Sequence, residues 1–179
     1  TRRATTYGRR VAEEISRYLA MAGCEVVSGL AYGIDTFAHA ATVKAGGKTI
    51  AVVAGGIDIC FHPGRSPASD ILDSDGAIVS EHGPGTKPLP AFFAARNRII
   101  SGLSAGVVVI EAPARSGALI TAECALEQGR EVMAVPGSVY SPASTGCHDL
   151  IRDGAALVTG AEDVLRILLP DMPEDMTIH

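Results

Sequence analysis

The feature that most constrains the fold is a repeated order of short apolar run, glycine-containing turn and helical segment. The apolar runs are rich in Val, Ile and Ala, and one of them reads Val-Val-Val-Ile. Such a run needs cover on both faces, which is typical of strands in a parallel sheet with helices packed against it. Strands are therefore predicted at 25–28, 49–53, 77–80, 107–110 and 131–135.

Apolar residues at helical spacing occupy the segments around these strands. In the first segment Val11, Ile15 and Leu19 recur on one helical face, and Gly23 follows as a stop signal. This order of elements predicts an α/β fold of three layers, a mainly parallel sheet flanked by helices, with ligands at the carboxyl ends of the strands. The predicted helices cover 7–22, 34–45, 67–73, 94–103, 119–128, 147–153 and 161–168, with a short last strand at 156–158.

Length and composition favour one folded domain. The sequence has 179 residues, 47% of them hydrophobic, which is enough for a substantial core. We expect residues 1–169 to form this domain and residues 170–179 to be a linker toward a further region. A sheet of this class is expected to open with a strand before the first helix, whereas residues 1–6 are polar. The sequence is therefore expected to begin within the first strand-to-helix loop.

The chain is expected to be cytoplasmic and to have no membrane partner. No apolar run approaches the roughly 20 residues that a membrane span needs, and no signal-peptide pattern is present. The cysteines are widely spaced without a C-x-x-C pair, which favours small core residues over zinc ligands. They are Cys24, Cys60, Cys124 and Cys147.

Two stretches resemble known catalytic or phosphate-binding motifs, but the residues and elements around them do not fit those motifs. Gly-Gly-Lys-Thr at 46–49 resembles the end of a phosphate-binding loop, but Thr42 stands where that motif needs its first glycine, and a strand follows. Residues 102–106 match G-x-S-x-G, yet they join a helix to a strand, the reverse of a nucleophile elbow. No G-x-G-x-x-G is present, and the histidines lack metal-ligand spacing. We expect no catalytic residue, metal or cofactor.

The net charge of -5 does not exclude a nucleic-acid partner, because much of it lies in one segment. Residues 162–179 hold five acidic residues and a single arginine, and the rest of the chain is nearly neutral. The placement of the basic residues therefore matters more than the total.

Small-residue loops and basic residues follow the predicted strands. The loops at 28–33, 54–56, 115–117 and 136–138 allow a close approach of backbone to an anion. Arg96-Asn97-Arg98 comes after Phe92-Phe93, and arginines beside aromatic rings fit single-stranded nucleic acid, with charge for phosphates and a ring face for bases. The basic residues placed to join these loops are Arg2, Arg65, Lys87, Arg96, Arg98 and Arg115.

Seven motifs, in order across almost the whole chain, resemble the bacterial DprA/Smf family of DNA-processing proteins. They are Arg2-x-x-Thr5-x-Tyr7-Gly8, Val27-Ser28-Gly29-Leu30-Ala31-x-Gly33-Ile34-Asp35-x-x-Ala38-His39, Ser80-Glu81-x-Gly83-Pro84-Gly85, Arg96-Asn97-Arg98-Ile99-Ile100-x-Gly102-Leu103-Ser104, Ser116-Gly117-x-Leu119-Ile120-Thr121, Val135-Pro136-Gly137 and Gly146-Cys147-x-x-Leu150-Ile151-x-x-Gly154-Ala155.

The resemblance implies an extended Rossmann-like fold that binds single-stranded DNA, forms homodimers and loads the RecA recombinase during natural transformation, with no catalytic step. It also implies a DNA contact at Arg2 and a DNA groove beside Arg96-Asn97-Arg98. The predicted nucleic-acid-binding residues are Arg2, Ser28, Gly29, Gly33, Arg65, Lys87, Phe93, Arg96, Asn97, Arg98, Arg115, Ser116 and Gly117.

The sequence departs from the family pattern at three positions and leaves one alternative open. His62-Pro63-Gly64 lacks a lysine common in relatives, for which Arg65 is the nearest substitute. Pro90 stands where relatives carry a basic residue, and Ala94 stands where they usually have a proline. The alternative is a Rossmann-like protein that binds or hydrolyses a nucleotide. Such proteins typically show a P-G-G-x-G-T loop, where this chain has Pro-Gly-Ser at 136–138.

Overall fold

The structure, a computed structural model, describes residues 3–60 and 66–171. The strands in these residues are β1 (Val26–Ser28), β2 (Thr49–Val52), β3 (Ala77–Val79), β4 (Gly106–Val109), β5 (Glu131–Ala134) and β6 (Ala156–Leu157). The α-helices are α1 (Thr6–Met21), α2 (Ile34–Lys44), α3 (Pro67–Asp73), α4 (Pro90–Ala95), α5 (Asn97–Gly102), α6 (Gly117–Glu127), α7 (Thr145–Arg152) and α8 (Ala161–Leu168).

The strands form two parallel sheets of three strands each, in the orders β1-β2-β3 and β4-β5-β6. In the first sheet Val27 lies opposite Ile50, and in the second Val108 lies opposite Met133. The predicted α/β class with parallel strands and intervening helices is confirmed. The single sheet that the sequence predicts is divided, and β1 and β4 are edge strands in the described part of the chain.

Helices cover both faces of the second sheet, as the alternation along β5 shows. Val132 and Ala134 pack on one face with Ala122 and Ala125 of α6 and Cys147 of α7. The other face holds a second cluster, formed by β5, the ends of β4 and β6 and the helices α1 and α8. Its buried members are Ala12, Ile15, Ile110, Met133, Val135, Val158, Ala161 and Val164. Cover on both faces explains why the predicted strands read as continuous apolar runs.

The two sheets are held together partly by the packing of α1 against α2. Ile34 and Phe37 of α2 pack on the cluster that α1 shares with the second sheet. The guanidinium carbon of Arg9 lies 4.9 Å from the centre of the Phe37 ring. Because α2 directly follows β1, its packing on this cluster holds the first sheet next to the second.

The predicted helix at 94–103 is two helices that begin four residues earlier. Pro90 is the first residue of α4, where its missing N–H and fixed φ suit a helix start. Arg96 separates α4 from α5 while keeping a helical backbone, with φ -68° and ψ -19°. The 81–90 segment is therefore a shorter loop than the sequence predicts.

Of the four cysteines that the sequence predicts to be core residues, only Cys147 is buried, and Cys24, Cys60 and Cys124 are half-buried. In the described part of the chain no helix combines the length and the hydrophobicity that crossing a membrane requires. All four cysteines are free thiols. Burial raises the pKa of Cys147 to about 11, and its Sγ lies 3.5 Å from the carbonyl oxygen of Val109. Cys147 is a neutral core residue rather than a reactive thiol.

Candidate nucleic-acid interface

Arg96 joins the carboxyl ends of β1 and β2 from inside the protein. The residue is 6% exposed, and its Nη1 donates to the carbonyl oxygen of Gly29 at 2.5 Å and to that of Val52. A Cβ on Gly29 would lie 2.2 Å from Nη2 of Arg96, so a glycine is required there. The sequence predicts that this guanidinium contacts phosphate. In the structure its Nη1 satisfies two buried carbonyl oxygens, so Arg96 holds the strand ends together.

Asn97 extends this connection to the second sheet. It is also 6% exposed, and its Nδ2 donates to the carbonyl oxygen of Gly117 at 3.1 Å. Gly117 begins α6, directly after the loop that follows β4. Arg96 and Asn97 together therefore bridge the carboxyl ends of both sheets, and these ends lie on one side of the protein. We call this side the carboxyl edge. Asn97, which the sequence predicts to contact DNA, supports this edge from within.

A cavity of about 590 Å³ lies between β1 and β4, and we call it the inter-sheet cleft. Val27 and Ser28 line one wall, and the whole of β4 lines the other. Asp35, Phe93 and Arg96 also line it. Ser28 thus lies where β1, the cleft and the carboxyl edge meet.

The glycine loop after β1 is closed by the side chain of Asp35. Oδ2 of Asp35 accepts hydrogen bonds from the backbone N–H groups of Gly29 at 3.2 Å and Ala31 at 3.3 Å. Gly33 then precedes α2 as its N-cap with φ 96°, a conformation that favours glycine. The sequence predicts that this loop offers its N–H groups to an anion. The structure instead assigns the N–H of Gly29 to Asp35, so this loop shapes the edge rather than binding through that group.

The loop after β4 carries the predicted Arg115, Ser116 and Gly117. Arg115 is exposed and has φ 61°, in the left-handed region that non-glycine residues rarely adopt. The Ser116 side chain caps α6 by accepting from the N–H of Ala118 at 3.3 Å. A cation is thereby held at the start of an 11-residue helix, whose dipole adds positive potential at the same point.

Arg98 and Lys87 place two further exposed cations at the carboxyl edge of the first sheet. Arg98 forms an exposed ion pair with Glu81, which follows β3. Lys87 lies in the loop that packs over Gly55, where an added Cβ would lie 2.8 Å from the carbonyl oxygen of Thr86. The exposed ion pair contributes little to stability, so phosphate can compete for Arg98 at low cost.

Phe93 is half-buried and lines the inter-sheet cleft. The guanidinium carbon of Arg96 lies 5.9 Å from its ring centre. The preceding Phe92 is stacked on His82, with ring centres 4.0 Å apart. Phe92 therefore fixes the 81–89 loop, and Phe93 is the member of the pair whose ring faces the site.

Glu111 is a residue of this edge that the sequence analysis missed. It is buried just beyond β4 and accepts from the backbone N–H of Thr5 at 3.0 Å and from the Thr5 hydroxyl. A Cβ on Gly8 would lie 2.2 Å from Cδ of Glu111. This carboxylate fixes the start of α1 against the carboxyl end of β4. The detectable signal is an acidic residue directly after four consecutive apolar residues.

His39 is held neutral in the interior of the first sheet. The Thr49 hydroxyl donates to the carbonyl oxygen of Val26 at 2.6 Å and therefore accepts from Nδ1 of His39 at 2.7 Å. Nε2 of His39 has no hydrogen-bond partner within the described residues. Burial lowers the pKa of His39 to about 4, against an opposing contribution from the Asp35 carboxylate and with a smaller lowering by Arg96. His39 is a packing residue rather than a site for an acid or base at neutral pH.

Two of the predicted DNA-contacting residues, Arg2 and Arg65, lie outside the described residues. Within residues 3–60 and 66–171 no group of three His, Cys, Asp or Glu side chains could hold a metal ion. The structure thus brings together Ser28, Gly29, Phe93, Asn97, Arg115 and Gly117 around the inter-sheet cleft and its carboxyl edge, with Lys87 and Arg98 on the flank of the first sheet.

Sequence relatives include two DNA processing proteins named DprA. The Streptococcus pneumoniae protein is 53% identical over 140 residues, which cover 78% of this chain and 50% of that protein. The Bacillus subtilis protein is 46% identical over 168 residues, which cover 94% of this chain and 57% of that protein. The chain spans about half the length of the curated relatives it matches.

Solved structures of two DNA processing proteins are similar to this chain in fold. The X-ray structure of DNA processing protein A from Streptococcus pneumoniae superimposes with a TM-score of 0.80 at 46% identity, over 92% of this chain and 58% of that one. DNA processing protein A from Helicobacter pylori, whose structure addresses its single-stranded DNA binding mode, gives a TM-score of 0.81 at 27% identity. That match covers 97% of this chain and 79% of the Helicobacter pylori chain.

These structural matches confirm the Rossmann-like fold that the resemblance implies. The model of the family described as DNA recombination-mediator protein A matches residues 1–169, and thus all of the elements described above. On this match and these identities, the chain belongs to the DNA recombination-mediator protein A family.

Proposed function

We propose that this chain binds single-stranded DNA along the carboxyl edge and acts as a recombination mediator by binding, without a catalytic step. The observation that carries the proposal is the convergence of exposed cations on an edge that Arg96 and Asn97 hold together. Arg115 lies beside the cleft, and Arg98 and Lys87 lie beyond it on the first sheet. Membership of the family and the single-stranded DNA binding of the Helicobacter pylori relative support the same ligand.

The cations would contact phosphates while the bases turn toward the Phe93 ring. Phosphate contacts release counterions, so affinity for DNA falls as salt is raised. Ser116 and Gly117 contribute the start of α6. On the opposite wall, the small residues Ser28, Gly29 and Gly33 leave space for a DNA strand to pass. Arg2 and Arg65 complete the proposed set of contacts. In this proposal Arg96 and Asn97 act on DNA indirectly, by fixing the edge.

We further propose that the protein forms homodimers, acts in the cytoplasm and delivers its DNA to the RecA recombinase. These proposals rest on the family to which the chain belongs. They concern the whole protein. The curated relatives are about twice as long as the part of them that this chain matches. Light scattering of the purified protein tests the dimer. RecA filament assembly on a strand coated with single-stranded-DNA-binding protein tests delivery.

The DNA site is tested by fluorescence anisotropy with a labelled oligo-dT strand in a salt series, with duplex as competitor. We expect salt-sensitive binding that prefers the single strand and weakens in Arg98→Ala and Arg115→Ala. Lys48→Ala is the matched control, since Lys48 is an exposed cation just before β2, at the opposite end of the sheet. Equal losses in the control, or no preference over duplex, would contradict the proposal. Hydrolysis of a nucleotide by the protein would instead favour the nucleotide-processing alternative.

A further inference from the structure

Two tyrosine rings project into solvent from the carboxyl edge. Tyr32 is 83% exposed and Tyr140 is 93% exposed. The other two tyrosines have partners: the Tyr7 hydroxyl donates to the carbonyl oxygen of Pro136 at 2.6 Å, and Tyr18 packs against the core. Exposed rings of this size leave a large apolar surface in water, which another flat surface can cover.

The backbone that carries Tyr32 is fixed on both sides of the ring. Asp35 accepts from the N–H of Ala31 at 3.3 Å, and the Thr36 hydroxyl donates to the carbonyl oxygen of Ala31 at 2.8 Å. Gly33 follows directly and is the N-cap of α2. The ring is therefore exposed while its point of attachment is held, so a partner that stacks on it orders little additional backbone.

The backbone that carries Tyr140 is fixed in a comparable way. The N–H of Tyr140 donates to Oγ of Ser138 at 3.3 Å, and the N–H of Ser141 donates to the carbonyl oxygen of Ser138 at 3.0 Å. Nε2 of His148 lies 3.0 Å from the carbonyl oxygen of Gly137. A second exposed ring thus lies on a turn that is tied to α7.

The two tyrosines lie in loops that follow strands of different sheets. Tyr32 follows β1, the edge strand of the first sheet, and Tyr140 follows β5, the neighbour of β4 in the second. Arg115 follows β4, whose place in the sheet order is between them. The loops that follow β1, β4 and β5 thus carry a ring, a cation and a ring in the order of these strands, and single strands require this combination of stacking surfaces and charge.

We propose that Tyr32 and Tyr140 are base-stacking positions, on each of which one base of a bound single strand lies, with the intervening backbone passing Arg115. The inference rests on the proposed function and adds two contacts to it. Stacking uses the face that every base has, so these positions bind without sequence preference. Neither tyrosine is needed to hold the fold.

The test compares Tyr32→Ala and Tyr140→Ala with Tyr32→Phe and Tyr140→Phe. We expect each alanine variant to bind oligo-dT about tenfold more weakly, and each phenylalanine variant to bind like the parent protein, because stacking needs the ring and not the hydroxyl. The salt dependence should be unchanged in all four, since no phosphate contact is lost. On an abasic strand of equal length the parent and alanine variants should bind alike.

Leu126→Ala is the matched control, because Leu126 is 62% exposed near the end of α6, away from the carboxyl edge. If the parent protein fails to bind oligo-dT, the proposed function itself fails. If the parent binds with the expected salt dependence but the alanine variants bind equally well, the stacking proposal alone is overturned. It is also overturned if either alanine variant changes the molecular mass in light scattering, since the ring then serves a protein contact.

Discussion

Nη1 of Arg96 lies 2.5 Å from the carbonyl oxygen of Gly29, across 67 positions of sequence. The same nitrogen donates to Val52, so one buried guanidinium satisfies the ends of two neighbouring strands. Arg96 and Arg98 are two residues apart in a predicted DNA-binding motif, yet one is interior and the other is exposed. Their substitutions should therefore have different consequences.

Arg96→Met should lower the free energy of unfolding by about 3 kcal/mol, because it leaves buried carbonyl oxygens without donors. Arg98→Met should change it by less than about 1 kcal/mol, because only an exposed ion pair is lost. Urea unfolding of the two variants measures the difference. Equal stability of the two variants would show that Arg96 does not hold the edge.

Removing Glu81 should tighten DNA binding through Arg98. The carboxylate competes with phosphate for the guanidinium, so Glu81→Gln should raise the affinity for oligo-dT about twofold to fivefold at low salt. Arg98→Ala should weaken binding and reduce the salt slope by about 1. In a double-mutant cycle, Glu81→Gln should have little effect once Arg98 is alanine. A gain that persists in that background would locate the effect of Glu81 elsewhere.

Two substitutions of Arg115 should differ in stability but not in DNA binding. Because its φ is 61°, Arg115→Gly should be about 1 kcal/mol more stable than Arg115→Ala, which retains the unfavourable conformation. Both variants should lose DNA affinity equally, since both lack the charge. Thermal unfolding and anisotropy on the same preparations make the comparison. Unequal affinities would mean that the loop conformation, and not the cation, determines binding.

His39 should make the fold sensitive to mild acid. Its pKa is lowered from 6.5 to about 4, so between these values the unfolded chain takes up a proton that the folded chain does not. Stability is therefore full above pH 6.5 and falls as the pH drops toward 4, by up to about 3 kcal/mol.

His39→Asn keeps a donor for Thr49 and cannot take up this proton, so its stability should vary less with pH than that of the parent protein. Urea midpoints measured from pH 5 to pH 7 test this, since most carboxylates stay ionised in that range. Parallel pH profiles for the two proteins would exclude His39 as the cause.

Much of the fold could be predicted from the sequence, because apolar runs and helical spacing are local patterns. The predicted strands at 49–53 and 131–135 match β2 and β5 to within one residue. The division into two sheets could not be predicted, since strand patterns do not record which strands pair. The start of α4 at Pro90 was missed because a run of prolines and glycines before it favours a loop.

The position of the candidate site in the fold could be predicted from the sequence, but the contacts of its individual residues could not. The glycine loops do follow the strands and gather at one edge, as parallel topology requires. The burial of Arg96 depends on carbonyl groups supplied by Gly29 and Val52, and no pattern around position 96 contains that information. The exposure of Tyr32 and Tyr140 could not be predicted for a related reason, because packing elsewhere in the chain decides whether a lone aromatic residue is exposed.

The edges of β1 and β4 have a consequence for the continuity of the sheet. In the part of the chain that the structure describes, each of these strands pairs on one side only and lines the inter-sheet cleft with the other. An unpaired strand edge is a template on which another extended segment can add. A segment that lay between them would be bonded on both sides, and two sheets of three strands would become one sheet of seven. Occupation of the cleft by a strand thus decides whether the backbone hydrogen bonds continue across all the strands or stop between β1 and β4.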